Sequence, residues 1–366
     1  MKESTENRCR QFIKNKEVIR KEFSWESTYM YPLCAAIFTM NGKEADGGQL
    51  KACTELLKQH TGMFSNFRST ARLPIASLMA VSGNPESTIS NALKVYGMLK
   101  EEFFGSAYLP LTAMVIAQMA EPFDYERIVK RTRALYKEMK SEHPLLTSSE
   151  DSSFAALLSL SERDDSTLLS EAQRCYELLK PQFFSGNAVQ SLSHVLALGD
   201  GRAEEKCSRT LLLYDRLKER GYKYGTDYEL PTLGVLALSE SDLMEIVTEM
   251  TDTDDFLAKQ KGLGNWSIGR KQRLMYTGML VQGEYVKTGS LETAAINGTI
   301  SMIVAQQAAM CAAIAASTAG SRRLQFLLIS QILPSNGASN LKRRERRYLT
   351  LAAAVKGMYE CITLAR

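Results

Sequence analysis

Six residues of this chain could bind or act on a small polar ligand: Asp151, Asn187, His194, Asp227, Trp266 and Arg270. They belong to polar runs that lead into apolar segments: Thr147-Ser-Ser-Glu-Asp151, Ser185-Gly-Asn187, Gly225-Thr-Asp227-Tyr-Glu229 and Asn265-Trp-Ser. Arg68-Ser-Thr-Ala-Arg72 is a further run of the kind, and His194 lies one or two helical turns beyond Ser185. If the chain stacks equivalent loops on one another, carboxylates, an amide, a guanidinium and an imidazole gather, a set with acid–base capacity. The competing reading is plain: Ser, Thr, Asp and Asn ahead of a helix cap its free N–H groups, and a single histidine serves packing.

Other chemistries lack their residues. His60, His143 and His194 are far apart with no H-x-x-x-H pair, so no metal site is read. No G-x-S-x-G, phosphate-binding or dinucleotide fingerprint occurs, and no cofactor is expected. Gly262-Leu-Gly264-Asn-Trp266-Ser-Ile-Gly269-Arg270-Lys271 looks like an anion cradle, but it follows a helix rather than a strand. A helix C-cap and turn is the expected use. Whether the chain is an enzyme is left undecided.

The elements that position these residues come from a repeat. Tyr96, Tyr136, Tyr176, Tyr214 and Asp254 are markers at intervals of 40, 40, 38 and 40, with Thr54 a weaker earlier copy. Seven positions earlier stand Ile89, Val129, Leu169, Cys207 and Val247; three later stand Leu99, Met139, Leu179, Leu217 and Leu257. That spacing keeps all three on one face of an amphipathic helix B. Asn84, Asp124, Asp164 and Asp242 stand as its N-caps, with Asp200 near the corresponding place. Helix A of each unit is short and apolar all round, at 74–82, 110–119, 153–161, 188–199 and 231–239, and must be buried. Pro32, Pro74, Pro110 and Pro231 open such helices, and Lys271–Val281 reads as another. Lys58, Lys100, Lys140, Lys180 and Lys218 follow the markers at the helix end, where they complement the dipole or form a basic edge.

The expected fold is all-α: an array of about 40-residue hairpins, as an open α-solenoid, with a closed α/α toroid as the alternative. Residues 1–27 read as a capping helix, 28–320 as six to seven hairpins, and 321–366 as a basic tail or helix. The tail has nine Lys/Arg against Glu345 and Glu360 and so carries +7; the other 36 Lys/Arg and 39 Asp/Glu leave −3. Lys342, Arg343, Arg344, Arg346 and Arg347 offer contact with nucleic acid or anionic lipid, a solvated helix being the default. The seven cysteines are scattered and odd in number, as buried thiols of a reducing cytoplasm are. The uncharged stretch 293–319 is Ala-rich and only weakly apolar, so a buried hairpin is expected rather than a membrane span. The N-terminus lacks an apolar signal-peptide core.

Pro144-Leu-Leu-Thr-Ser-Ser-Glu-Asp151, Tyr176-Glu-Leu-Leu-Lys180, the run Ser185–Leu198, Gly264-Asn-Trp266 and the Ala-Gln-Gln-Ala-Ala run at 305–309 carry a resemblance. Together they resemble a bacterial family catalogued as domain of unknown function 4003, over roughly residues 10–320. The resemblance implies a bacterial, cytoplasmic setting. It brings no activity, cofactor or catalytic residue, and the tail departs from it. The function expected from the residues is a scaffold that binds a peptide or protein along the loops leading into helix A. The alternative is an enzyme or small-molecule binder whose toroid encloses a polar cavity.

Overall fold

The computed structural model describes residues 1–285 apart from 64, 69, 70 and 107. Among these residues there are fourteen α-helices and no strand, in seven consecutive pairs. The pairs are α1 (Glu3–Glu22) with α2 (Met30–Met40), α3 (Gly47–His60) with α4 (Arg72–Ser82), α5 (Pro85–Glu102) with α6 (Leu109–Met119), and α7 (Tyr125–Glu142) with α8 (Asp151–Ser159). They continue as α9 (Asp165–Leu179) with α10 (Gly186–Leu198), α11 (Ala203–Glu219) with α12 (Leu230–Ala237), and α13 (Leu243–Ala258) with α14 (Arg270–Tyr285). Odd-numbered helices are amphipathic and lie outside. Even-numbered ones are buried almost throughout and lie inside. Each inner helix packs against the outer helix that precedes it, so the hairpin unit is B then A.

Local chemistry sets the boundaries. Asn84, Asp164 and Asp242 accept hydrogen bonds from first-turn N–H groups of α5, α9 and α13, as the spacing predicts, and Asp46 does the same for α3. Asp124 occupies the cap position of α7 without capping; its carboxylate takes the Arg127 Nε–H instead. Arg202, not Asp200, precedes α11. The predicted face is buried at Ile89, Val129, Cys207, Val247 and at all the later positions, while Leu169 is half-buried and Leu168 takes the core place. At the far ends, Arg131 and Arg209 of α7 and α11 donate to the last carbonyls of α8 and α12, which are otherwise orphaned.

The markers have aromatic partners. Tyr96, Tyr136, Tyr176 and Tyr214 pack against Phe67, Phe103, His143 and Phe183, with ring centroids 5.0, 5.3, 4.5 and 5.2 Å apart. Each partner comes from the end of the preceding outer helix or the loop after it, so the repeat couples neighbouring units. Of the lysines, Lys140 and Lys180 bond the carbonyls of the loops that follow them.

The inner helices run parallel: Thr112 meets Ser153 near the starts of α6 and α8, and Ser239 reaches the Tyr285 carbonyl near the ends of α12 and α14. Each contacts the next, and α14 contacts α2; among the outer helices, α13 contacts α1 and α1 contacts α3. The circuit of neighbours therefore closes. An open array would hold its first and last hairpins apart, and that expectation does not fit the contacts. Phe12 packs on Tyr276 with centroids 5.7 Å apart, Arg8 bonds the Leu280 carbonyl and Glu284, and the Lys2 N–H donates to Glu249. With α2 and α3 on one side and α13 and α14 on the other, α1 has neighbours on both sides, as every outer helix has.

No helix among the described residues is long and apolar enough to cross a membrane. The uncharged stretch 293–319, expected as the last hairpin partner, and the basic tail 321–366 with Lys342, Arg343, Arg344, Arg346 and Arg347 lie outside the described residues. Within them, Cys9, Cys34, Cys53, Cys175 and Cys207 are free, buried thiols.

Candidate functional site

Because the inner helices are parallel, all seven begin at one end of the ring, and their lead-in loops meet there. Asn66 of one such loop donates to the Ser106 carbonyl of the next. The capping reading holds for Ser185, which accepts from the Ala188 N–H. Tyr108, Glu150 and Glu229 precede α6, α8 and α12 without capping them.

Three of these positions touch around the ring. The Tyr108 hydroxyl lies 3.5 Å from Glu150 Oε2, and the Asn187 side chain is near enough to the same carboxyl to favour its charged form. Burial pushes Glu150 up, against the opposing pull of those two side chains. Asp151, the first residue of α8, is buried and accepts from the Ser148 N–H at 2.8 Å. Burial raises its carboxyl to about 7, with the neighbouring Glu150 charge adding to the shift. Burial likewise lifts the Tyr108 phenol to about 12. Asp151 and Asn187 thus flank Glu150 on adjacent helices.

His194 lies two turns into α10, beside Phe154 of α8 at 5.7 Å between rings. Its imidazole is buried, and that burial lowers its pKa to about 3, so it is neutral. It lines a small cleft between α7, α9 and α10, together with Met139, His143, Gln173, Tyr176 and Gln190. Gln190 donates to Thr147 Oγ1 at 3.0 Å, and His143 Nε2 lies 2.8 Å from Gln173 Oε1. Gln190 Oε1 and His194 Nδ1 are buried without a hydrogen-bond partner. A stranded buried polar atom costs about 1–3 kcal/mol, so each needs a reason.

The other three candidates lie elsewhere in the ring. Asp227 is exposed; the buried carboxyl of its loop is Glu229, which accepts from the Asp227 N–H at 3.2 Å. Trp266 stands fully exposed. Arg270 covers the Tyr222 ring at 4.7 Å and lies 3.9 Å from Asp254. The nearby ion pair is Arg273 with Asp254, at 2.7 and 3.0 Å through two nitrogens, both side chains buried. Arg273 also holds the Leu263 carbonyl and Asn265, and Gly262 and Gly269 have φ near +75°. The Gly262–Lys271 segment is therefore a pinned turn, and its Arg270 serves ion pairing and ring stacking.

The residues missed in the sequence are Tyr108, Glu150, Gln190 and Arg273. Gln190 had a signal, a long amide inside an otherwise small and apolar helix. Arg273 had one too: an acid at Asp254, on a face that must be buried, requires a buried cation. Tyr108 and Glu150 had none, because their meeting depends on neighbouring repeats. Among the described residues, no group of three or more His, Cys, Asp or Glu side chains is placed to hold a metal ion.

A family model described as protein of unknown function (DUF4003) matches residues 15–309. Among curated proteins, the chain is similar to the uncharacterized protein YeaA of Bacillus subtilis, strain 168: 25% identical over 312 residues, covering 83% of this chain and 92% of the relative. No solved structure matches the chain.

Proposed function

We infer that the chain, which belongs to the DUF4003 family, binds a small polar ligand in the cleft above His194 and Gln190. The observation that carries this reading is that Gln190 and His194 both line the cleft and each holds a buried atom, Oε1 and Nδ1, without a hydrogen-bond partner. Gln190 Oε1 only accepts, and neutral imidazole nitrogen accepts or donates according to tautomer. The ligand is therefore a molecule with hydrogen-bond donors, such as an amide, amine or polyol. Its inserted part is a single small polar group, since the cleft has room for little more than a water molecule.

The closed circuit of helices supports the toroid version of the sequence reading over an open-edged peptide scaffold. An enzymatic role draws on one observation, the Asp151 carboxyl held near 7 beside Glu150, in the range suited to proton transfer near neutral pH. The test is thermal unfolding of the full chain against a panel of small amides, amines and polyols. A ligand at a hundred times its Kd stabilises by about 2.7 kcal/mol, and Gln190→Leu removes that gain while the variant itself stays folded. Equal ligand shifts in wild type and Gln190→Leu would sink the cleft as the site.

A further inference from the structure

The end of the ring where the inner helices begin carries a second pattern, independent of the cleft. Trp25, Met63, Phe104, Leu145, Phe184 and Trp266 stand on six of the seven lead-in loops. Trp25 is 68% and Met63 76% exposed, and the other four are essentially bare. Seven of the ten large apolar side chains exposed among the described residues lie at this end, Tyr29 being the seventh, so the exposure is sided rather than scattered. At the opposite end, Phe123 is the exposed aromatic.

Charge is sided in the same sense. A lysine stands in or directly after the last turn of every outer helix, from Lys21 and Lys58 to Lys218 and Lys259, which places all of them at the apolar end. The opposite end holds the first turns of the outer helices, with Glu3, Glu86, Glu126, Asp165, Glu204 and Glu245. Helix-dipole complementarity explains each residue singly. Because all outer helices run in one direction, among the described residues one end carries a lysine at each outer-helix terminus, interspersed with carboxylates, and the other end carries an excess of carboxylates.

We propose that the lead-in-loop end docks on the surface of an anionic lipid bilayer, its apolar tips entering the interfacial layer. The tips stand on separate loops, each among Ser, Thr, Gly or Asn, rather than as one continuous patch. A fluid interface closes around separate tips, whereas a protein partner needs a matching pocket for each. Tryptophan favours that interface, and both tryptophans of the chain are here. The lysines not tied to loop carbonyls or carboxylates, as Lys140, Lys180 and Lys58 are, can lie along it with their ammonium groups at the headgroups. Glu22, Glu101, Glu102, Glu142, Glu219 and Asp255 share this end and offset much of the lysine charge, so the tips supply the affinity. The acidic opposite end, repelled by anionic lipid, fixes the orientation.

The experiment uses the full chain with vesicles of phosphatidylcholine alone and with phosphatidylglycerol at about a third of the lipid. Flotation and tryptophan emission are read together. The chain should float with the anionic vesicles, and its emission should shift to the blue as Trp25 and Trp266 leave water. Phe104→Ser and Phe184→Ser should each weaken binding on the order of tenfold, the factor expected from burying one aromatic side chain. Both side chains are bare, so the variants should melt as wild type does. Phe123→Ser should bind unchanged. Failure to float, flotation without an emission shift, or equal binding by the serine variants would overturn the proposal; the last would place the contact elsewhere in the chain. So would a concentration-dependent dimer that the same variants abolish while no vesicle is bound.

Discussion

At the residue scale, ionisable groups are buried with different degrees of compensation. Asp254 and Arg273 neutralise each other, and removing one strands the other. Asp254→Ala should therefore cost about 3–5 kcal/mol in denaturant unfolding, while replacing the pair with apolar residues of similar volume should cost far less. Asp151 has no such partner. Its folded pKa lies above its ordinary value, at about 7. Its contribution to stability is therefore present below about pH 4 and is lost as pH rises through 7. Asp151→Asn should remove that dependence and raise stability at pH 8, by up to about 4 kcal/mol; melting curves at pH 4 and pH 8 measure it. His194 has the opposite sign. Its folded pKa lies below the ordinary value, at about 3, so the fold loses stability as pH falls from about 6.5 towards 3. His194→Gln should flatten that acid limb.

At the element scale, two positions that look alike in sequence differ in the fold. Asn84 accepts the Ser87 N–H, whereas Asp124 turns to Arg127. Asn84→Ala should cost about 1 kcal/mol, the usual worth of an N-cap. Asp124→Ala should cost at most a few tenths of a kcal/mol, since a surface ion pair is worth little. Chemical denaturation of the two variants side by side measures the difference. The helices themselves were legible: the predicted A helices begin within two residues of α4, α6, α8, α10 and α12. What the periodicity could not show was the pairing of each inner helix with the outer helix before it. A buried apolar helix presents contact surface on every side, so its residues do not declare which neighbour it prefers.

At the scale of the whole molecule, α1 joins the first and last of the described hairpins. Phe12 and Arg8 are two of its anchors to α14. Phe12→Ala should cost about 3–5 kcal/mol. If the ring unfolds as one unit, that loss should appear as a single shifted transition, with probes in α5 and α13 moving together. In an open array, each repeat interacts only with its neighbours, and a defect at one end leaves the rest intact. Separate transitions in the Phe12→Ala variant would count against closure as a source of cooperativity.

The sequence alone determined the helices, their length, their buried faces and their forty-residue beat, because these depend on residues three to twelve positions apart in one chain segment. It also marked the lead-in loops as the place to look for function. Only the tertiary structure decided that the first hairpin meets the last, that Tyr108, Glu150 and Asn187 come together, and that six exposed apolar tips share one end. Those meetings depend on the rotation between successive hairpins. Many side-chain contacts fix that rotation jointly, and no single residue or spacing encodes it.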